Sequence, residues 1–186
     1  TLFPYTTLFR SPALLLLDEP FANLDRNLKM ETALFLRETQ RTFTTTTICV
    51  THDLEEALAM SDRIGILLGG NLRQYAPPRD IYLHPVDADT ARFMGPVNSI
   101  DSRLGEVLGI APCLVRPEAL RITPDANGPG EIVKVHFAGH YTTSTVRILD
   151  SDLLVYSLEP QGQPGERVRL HLSPNHTPLP YGADLK

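Results

Sequence analysis

Two adjacent carboxylates, Asp18 and Glu19, end a run of four leucines in "PALLLLDEP", and His52 follows a second apolar run in "TTTTICVTHD". A strand of pure hydrocarbon is held by packing, so a group at its C-terminal end has little freedom. In open α/β sheets that edge is where ligands bind. An acid placed there can hold Mg2+, directly or through water, while a second acid orients and deprotonates an attacking water. Nucleotide hydrolysis needs that division of labour. The alternative for a bare acid pair is two solvated carboxylates at the start of the next helix.

His52, taken singly, reads as a proton-sensitive site group or as an ordinary strand-end histidine. Cys49 does not form a thiol–imidazole pair with it, because a spacing of three along a strand turns the side chains to opposite faces. A second histidine pair, His136 and His140 in "HFAGH", shares a strand face but lies about 13 Å apart by strand rise. That is too far for one ion unless Gly139 bends the chain.

The elements that must position these groups follow from periodicity. Residues 14 to 17 are a short apolar run bounded by Pro12 and by acids, the pattern of a strand buried on both faces. From Asn27 to about Thr42 the chain lacks Gly and Pro and spaces Leu28, Glu31, Phe35 and Leu36 as a helix does. "TTTTICV" reads as a second buried strand, a short helix begins near Asp53, and "IGILL" is a third strand joined by the "GGN" turn to "LRQYA". Alternation at this spacing predicts a parallel α/β sheet. Two short helices come next, the first entered through Pro78 and interrupted at Pro85. After about Asn98 the texture changes to short alternating runs separated by Gly, Pro, Asn and Asp, which predicts a second domain, a small antiparallel barrel or sandwich.

Composition narrows the partners. The chain has 186 residues, 42% of them hydrophobic, and a formal charge of -5 with acids and bases interspersed. Such a surface offers no basic field to a phosphate backbone, so nucleic acid is not an expected partner. No apolar run approaches the roughly 20 residues that span a bilayer as a helix. Cys49 and Cys113 lie far apart inside apolar runs and read as buried free thiols in a reducing compartment.

"LLLLDEP" resembles the Walker B motif of ATP-binding cassette (ABC) proteins, "ANLD" at residues 22 to 25 their D-loop, and "VTHD" at residues 50 to 53 their switch-histidine segment. The resemblance implies that Asp18 is the magnesium-site acid and Glu19 the catalytic base. It also implies that His52 contacts the γ-phosphate and the attacking water, and that Asp25 communicates across a dimer of cassettes. The stretch from "EEALAMSDR" to "FMGPVN" is similar to importer ATPases of the group serving polyamines, ferric iron, thiamine, phosphonates, sulfate, molybdate and sugars. "LVRPEALRI" at residues 114 to 122 resembles the marker of their TOBE domain.

The fold implied is α/β: a partial P-loop NTPase parallel sheet over residues 12–97, followed by a small OB-like β-barrel, the TOBE domain, over residues 98–186. ATP and Mg2+ are the implied cofactors. The implied partners are a second ATPase subunit, permease subunits and, indirectly, a periplasmic solute-binding protein. The implied location is the cytoplasmic face of a bacterial inner membrane.

The sequence departs from the family in three places. It holds no GxxxxGK[ST] loop to cradle phosphates, no Q-loop and no LSGGQ segment. Residues 1–11, "TLFPYTTLFRS", match an in-frame translation of a common sequencing-library adapter, and the expectation is that they are not native. The fragment is therefore expected to be inactive alone, with a sheet face left exposed. Two other readings compete with an importer ATPase: a β-rich tail that senses a solute beside an inert cassette remnant, and a cassette ATPase of DNA repair or translation. The tail from "FMGPVN" and the lack of a basic stripe argue against the last.

Overall fold

The computed structural model of the chain describes residues 13–174 and 178–179. Residues 1–11, assigned to an adapter on sequence, lie outside the described residues. Packing divides the chain into two compact units, Thr1–Arg79 and Asp80–Lys186, a break that falls earlier than the change of texture near Asn98.

In the first unit, strand β1 (Leu14–Asp18) pairs in parallel with β2 (Thr46–Val50), placing Asp18 opposite Val50. Helix α1 (Arg26–Phe43) makes the crossover. Asp25 starts it: its Oδ1 accepts the backbone N–H groups of Asn27 and Leu28 at 3.1 and 3.0 Å, satisfying two donors the helix cannot use. Ala33 and Leu36 of α1 pack with Phe21, Leu24, Cys49 and Met60. Losing the cap in Asp25→Ala is expected to cost about 1 kcal/mol, read as a lower urea midpoint for loss of helical circular dichroism.

Two expectations are corrected here. The strands are not buried on both faces: α1 covers one side of the pair, while Leu16 is 65% and Ile48 54% exposed on the other. The continuous apolar run is thus covered on one face only among the described residues. Nor does "IGILL" extend the parallel pair. Strand β3 (Ile64–Leu68) pairs antiparallel with β4 (Asn71–Ala76), and among the described residues neither joins β1 or β2. The hairpin wins because Gly69 and Gly70 both take positive φ, 57° and 76°, the conformation a tight two-residue turn demands.

Helix α2 (Leu54–Met60), with Asp53 at its N-cap, lies between β2 and β3. Helices α3 (Pro78–Leu83) and α4 (Ala88–Phe93) follow β4, with the interruption at Pro85 where it was expected.

In the second unit, β5 (Asn98–Ile100) pairs with β6 (Cys113–Val115) around α5 (Ser102–Leu108). Strands β7 (Leu120–Pro124), β8 (Gly130–Phe137), β9 (Thr142–Ile148), β10 (Ser151–Ser157) and β11 (Arg167–Leu172) form one antiparallel sheet in the order β10-β9-β8-β11-β7. Alternation puts Ile132, Val146, Ile148, Val155 and Val168 on its inner face, packed with Leu104 and Val115. An extra residue between Ile132 and Lys134 bends β8. No ladder closes β10 onto β7 among the described residues. The edge of β10 is blocked instead: Asn98 donates to the Leu154 carbonyl at 2.8 Å and accepts its N–H at 2.7 Å, pairing as a strand would.

Candidate active site

Parallel pairing brings the ends of β1 and β2 together, and the groups that follow each strand meet. The Glu19 N–H donates to the Val50 carbonyl at 2.8 Å. Glu19 Oε1 accepts the backbone N–H of His52 at 3.1 Å and lies 2.7 Å from its Nδ1. Glu19 is a non-glycine residue with φ 45° just before Pro20, a sparsely populated conformation. Its N–H bond and its carboxylate bonds to His52 hold it there.

The carboxylate beside His52 raises the imidazole pKa above its ordinary 6.5, first by the hydrogen bond and then by charge. Because the folded value is the higher one, this contact stabilises fully below the unfolded pKa and is lost as pH rises through the folded value. A 15N-detected titration of His52 is expected to show a midpoint above 6.5 that falls when Glu19→Gln removes the charge. A midpoint that Glu19→Gln leaves in place would contradict the assignment.

Asp18, one residue back, is exposed on the same sheet face as Leu14 and Leu16, with no hydrogen bond or ion pair among the described residues. Its oxygens are free for a ligand. Asp25 is not part of this cluster: its carboxylate is spent on the cap of α1.

Beside His52 lies an open depression lined by Arg26, Lys29, Asp53, Leu54 and Glu55. Its charges are already paired. Arg26 bonds Glu55 at 3.0 Å, and Lys29 bridges Asp53 at 3.2 Å and Glu56 at 3.1 Å. Burial pushes the Asp53 carboxyl up, but hydrogen bonds from the Glu56 N–H and from Lys29 outweigh it and leave the pKa low.

Lys29, Thr51 and Glu56 did not emerge from the motif reading. One signal was present: Asp53 and Glu56 stand at the N-cap and third position of α2, the spacing of a capping box.

The other sequence candidates fall elsewhere. Cys113 is buried, whereas Cys49 is only half-buried; both are free, and burial raises both thiol pKa values. Gly139, with φ 89°, does turn the chain after β8, but His140 packs edge-on against Tyr141 with ring centres 4.8 Å apart. No group of three or more His, Cys, Asp or Glu side chains suited to a metal occurs among the described residues.

Comparison with known proteins bears on both units. The family model of the TOBE domain matches residues 113–179. The Fe(3+) ions import ATP-binding protein FbpC 1 of Rhodococcus jostii (strain RHA1) is 36% identical over 165 residues, covering 80% of this chain and 48% of the relative. The chain belongs to the ABC importer ATPase family. A second member, Fe(3+) ions import ATP-binding protein FbpC of Yersinia pseudotuberculosis serotype I (strain IP32953), is 33% identical over 167 residues, 77% of this chain and 48% of that protein. A third, Fe(3+) ions import ATP-binding protein FbpC 1 of Rhizobium meliloti (strain 1021), is 35% identical over 168 residues with the same coverage of 77% and 48%. The chain thus spans about half the length of these curated ABC importer relatives, 48% of each.

Proposed function

We propose that the chain carries the hydrolytic residues of an ABC importer ATPase, with Glu19 as general base and His52 as the switch residue beside it. The observation that supports this most is the 2.7 Å contact between Glu19 Oε1 and His52 Nδ1 at the ends of two paired parallel strands. Glu19 is held by His52 with its second carboxylate oxygen uncommitted among the described residues, so it can accept a proton from a water bound against that oxygen. The imidazole, charged more readily than a free histidine, donates from Nδ1 to Glu19 and leaves Nε2 for a phosphate oxygen.

Asp18 fits the magnesium site: it is a free, exposed carboxylate, and Mg2+ is commonly held by one or two carboxylates with waters and substrate phosphates. Bound there, Mg2+ would neutralise charge on the transferring phosphoryl group.

The domain assignment proposed is a cassette part over residues 12–97, with β1 and β2 belonging to a P-loop NTPase sheet, and an OB-like TOBE domain over residues 98–186. Residues 1–11 are proposed to be adapter-derived. The partners proposed are a second ATPase subunit approached through the Asp25 segment, permease subunits, and a periplasmic solute-binding protein. The working location would be the cytoplasmic face of the inner membrane; no helix among the described residues is long and apolar enough to cross a membrane. Among cargoes, the names of the relatives favour ferric iron.

The sequence holds no phosphate-cradling loop, so the chain alone is proposed to be inactive. The test is a chimera in which residues 13–186 replace the matched segment of the Rhodococcus jostii relative. It is expected to bind a fluorescent ATP analogue and release phosphate, whereas the chain alone shows no micromolar binding. A chimera that folds and binds nucleotide without turnover, or tight binding by the chain alone, would overturn the reading.

A further inference from the structure

His52 is almost free of its surroundings: its side chain is 83% exposed, and Glu19 is the one partner its imidazole bonds among the described residues. An exposed side chain with one contact keeps its place only if the backbone on either side is fixed. The neighbours on both sides are fixed, and by the same group.

Thr51 Oγ1 donates to Glu56 Oε2 at 2.8 Å and accepts the Asp53 N–H at 3.0 Å. Lys29 Nζ closes the ring, donating to Asp53 Oδ2 at 3.2 Å and meeting Glu56 Oε1 at 3.1 Å. Glu56 is 2% exposed. We propose that Lys29, Thr51 and Glu56 are positioning residues for His52, clamping the peptide segment around it so that its N–H and its Nδ1 both meet Glu19.

Only Glu56 of this ion pair is buried, Lys29 keeping 22% of its side chain exposed, and desolvation of that carboxylate offsets part of the attraction. Here the pair has a second task. It ties α1, which follows the Asp25 cap, to the first turn of α2, and the tie passes through the two residues flanking His52. The inference rests on the reading of Glu19 and His52 as base and switch residue.

The charges around His52 allow a test in which positioning and plain electrostatics have opposite signs. Glu19 faces it from the end of β1, Lys29 and Arg26 from α1, and Asp53 and Glu55 from the start of α2. Lys29 lowers the His52 pKa by charge. Charge alone therefore makes the His52 midpoint rise in Lys29→Met, and loss of the clamp makes it fall.

The experiment is a 15N-detected imidazole titration of the full chain. In Lys29→Met the midpoint is expected to fall, and Lys29→Arg to restore it. Thr51→Val changes no charge and nearly no volume. It is expected to bring the midpoint down to the Glu19→Gln value and to lose the Nδ1–H signal to solvent exchange.

A Thr51→Val protein with the wild-type midpoint and Nδ1–H signal would overturn the proposal, as would a rise in Lys29→Met. Should Lys29→Met fail to fold around the unpaired Glu56, Thr51→Val decides alone. No nucleotide enters this measurement, so it stands apart from the hydrolysis reading. An inactive chimera with the expected His52 spectra would sink only the latter.

Discussion

Glu19→Gln in the chimera is expected to lower phosphate release by about 100- to 10,000-fold, the usual contribution of a positioned general base, while nucleotide affinity stays near the parent value. Gln keeps the size and one acceptor oxygen, so the backbone N–H of His52 still has a partner and the geometry of the β1 and β2 ends is preserved. What it removes is the negative charge that, on the proposed reading, takes a proton from water, and that raises the imidazole pKa. A loss confined to turnover is the signature of a group acting in the transition state. A loss of affinity with unchanged turnover would instead place Glu19 in binding. Single-turnover phosphate release beside an equilibrium nucleotide titration separates the two.

The second large effect lies in the other unit. Arg116 is 4% exposed, and its guanidinium sits 4.3 Å from the centre of the Tyr82 ring. Its Nη1 donates to the carbonyls of Gly95 and Pro96 at 2.9 and 3.2 Å. Burial pushes its pKa down, opposed by the nearby Tyr82 and Glu118. Tyr82 in turn donates to Glu118 at 2.7 Å, and burial, then that bond, drives its phenol pKa well up.

Arg116→Met would fill most of the space and remove the charged donor that both part-buried carbonyls share, where a hydrogen bond to a charged group contributes about 1.5–3 kcal/mol. The expected result is a loss of about 2–4 kcal/mol in urea-induced unfolding of the second unit, followed by near-ultraviolet circular dichroism from its tyrosines. Arg116→Lys should recover little of it, because an ammonium lacks the planar fork that bonds two carbonyls while stacking on a ring. A Met variant as stable as the parent would mean that water satisfies those carbonyls.

Local signals carried much of the fold. The start of α2 at Asp53 was legible because a cap is a contact between near neighbours, while α1, expected from Asn27, begins one residue earlier behind an Asp25 cap the sequence reading did not name. Only the resemblance put Glu19 and His52 at one site; their direct contact follows from the parallel pairing of β1 with β2, which makes the residues after the two strand ends adjoin.

Pairing at a distance was not legible. The hairpin of "IGILL" with "LRQYA" was legible from the glycines of the "GGN" turn, but nothing in "IGILL" says whether it also joins the parallel pair. The apolar runs of β1 and β2 implied cover on both faces, but the described residues supply it on one, so Leu16 and Ile48 stand open. The clamp of Lys29 on Asp53 and Glu56 spans α1 and the return strand, beyond the reach of any local pattern. The burial of Arg116 lay equally beyond local pattern, because the ring and carbonyls around it come from residues 82 and 95–96.

The most direct test of the account is to locate the metal–nucleotide complex in the chimera by replacing Mg2+ with Mn2+ and reading paramagnetic broadening of backbone amides at limiting Mn2+–ATP. If Asp18 is the magnesium-site acid, with Glu19 and His52 beside it, broadening centres on residues 18–19 and 51–52 and disappears in Asp18→Asn. Broadening centred elsewhere, or unchanged in Asp18→Asn, would contradict the assignment of this strand end as the hydrolytic site.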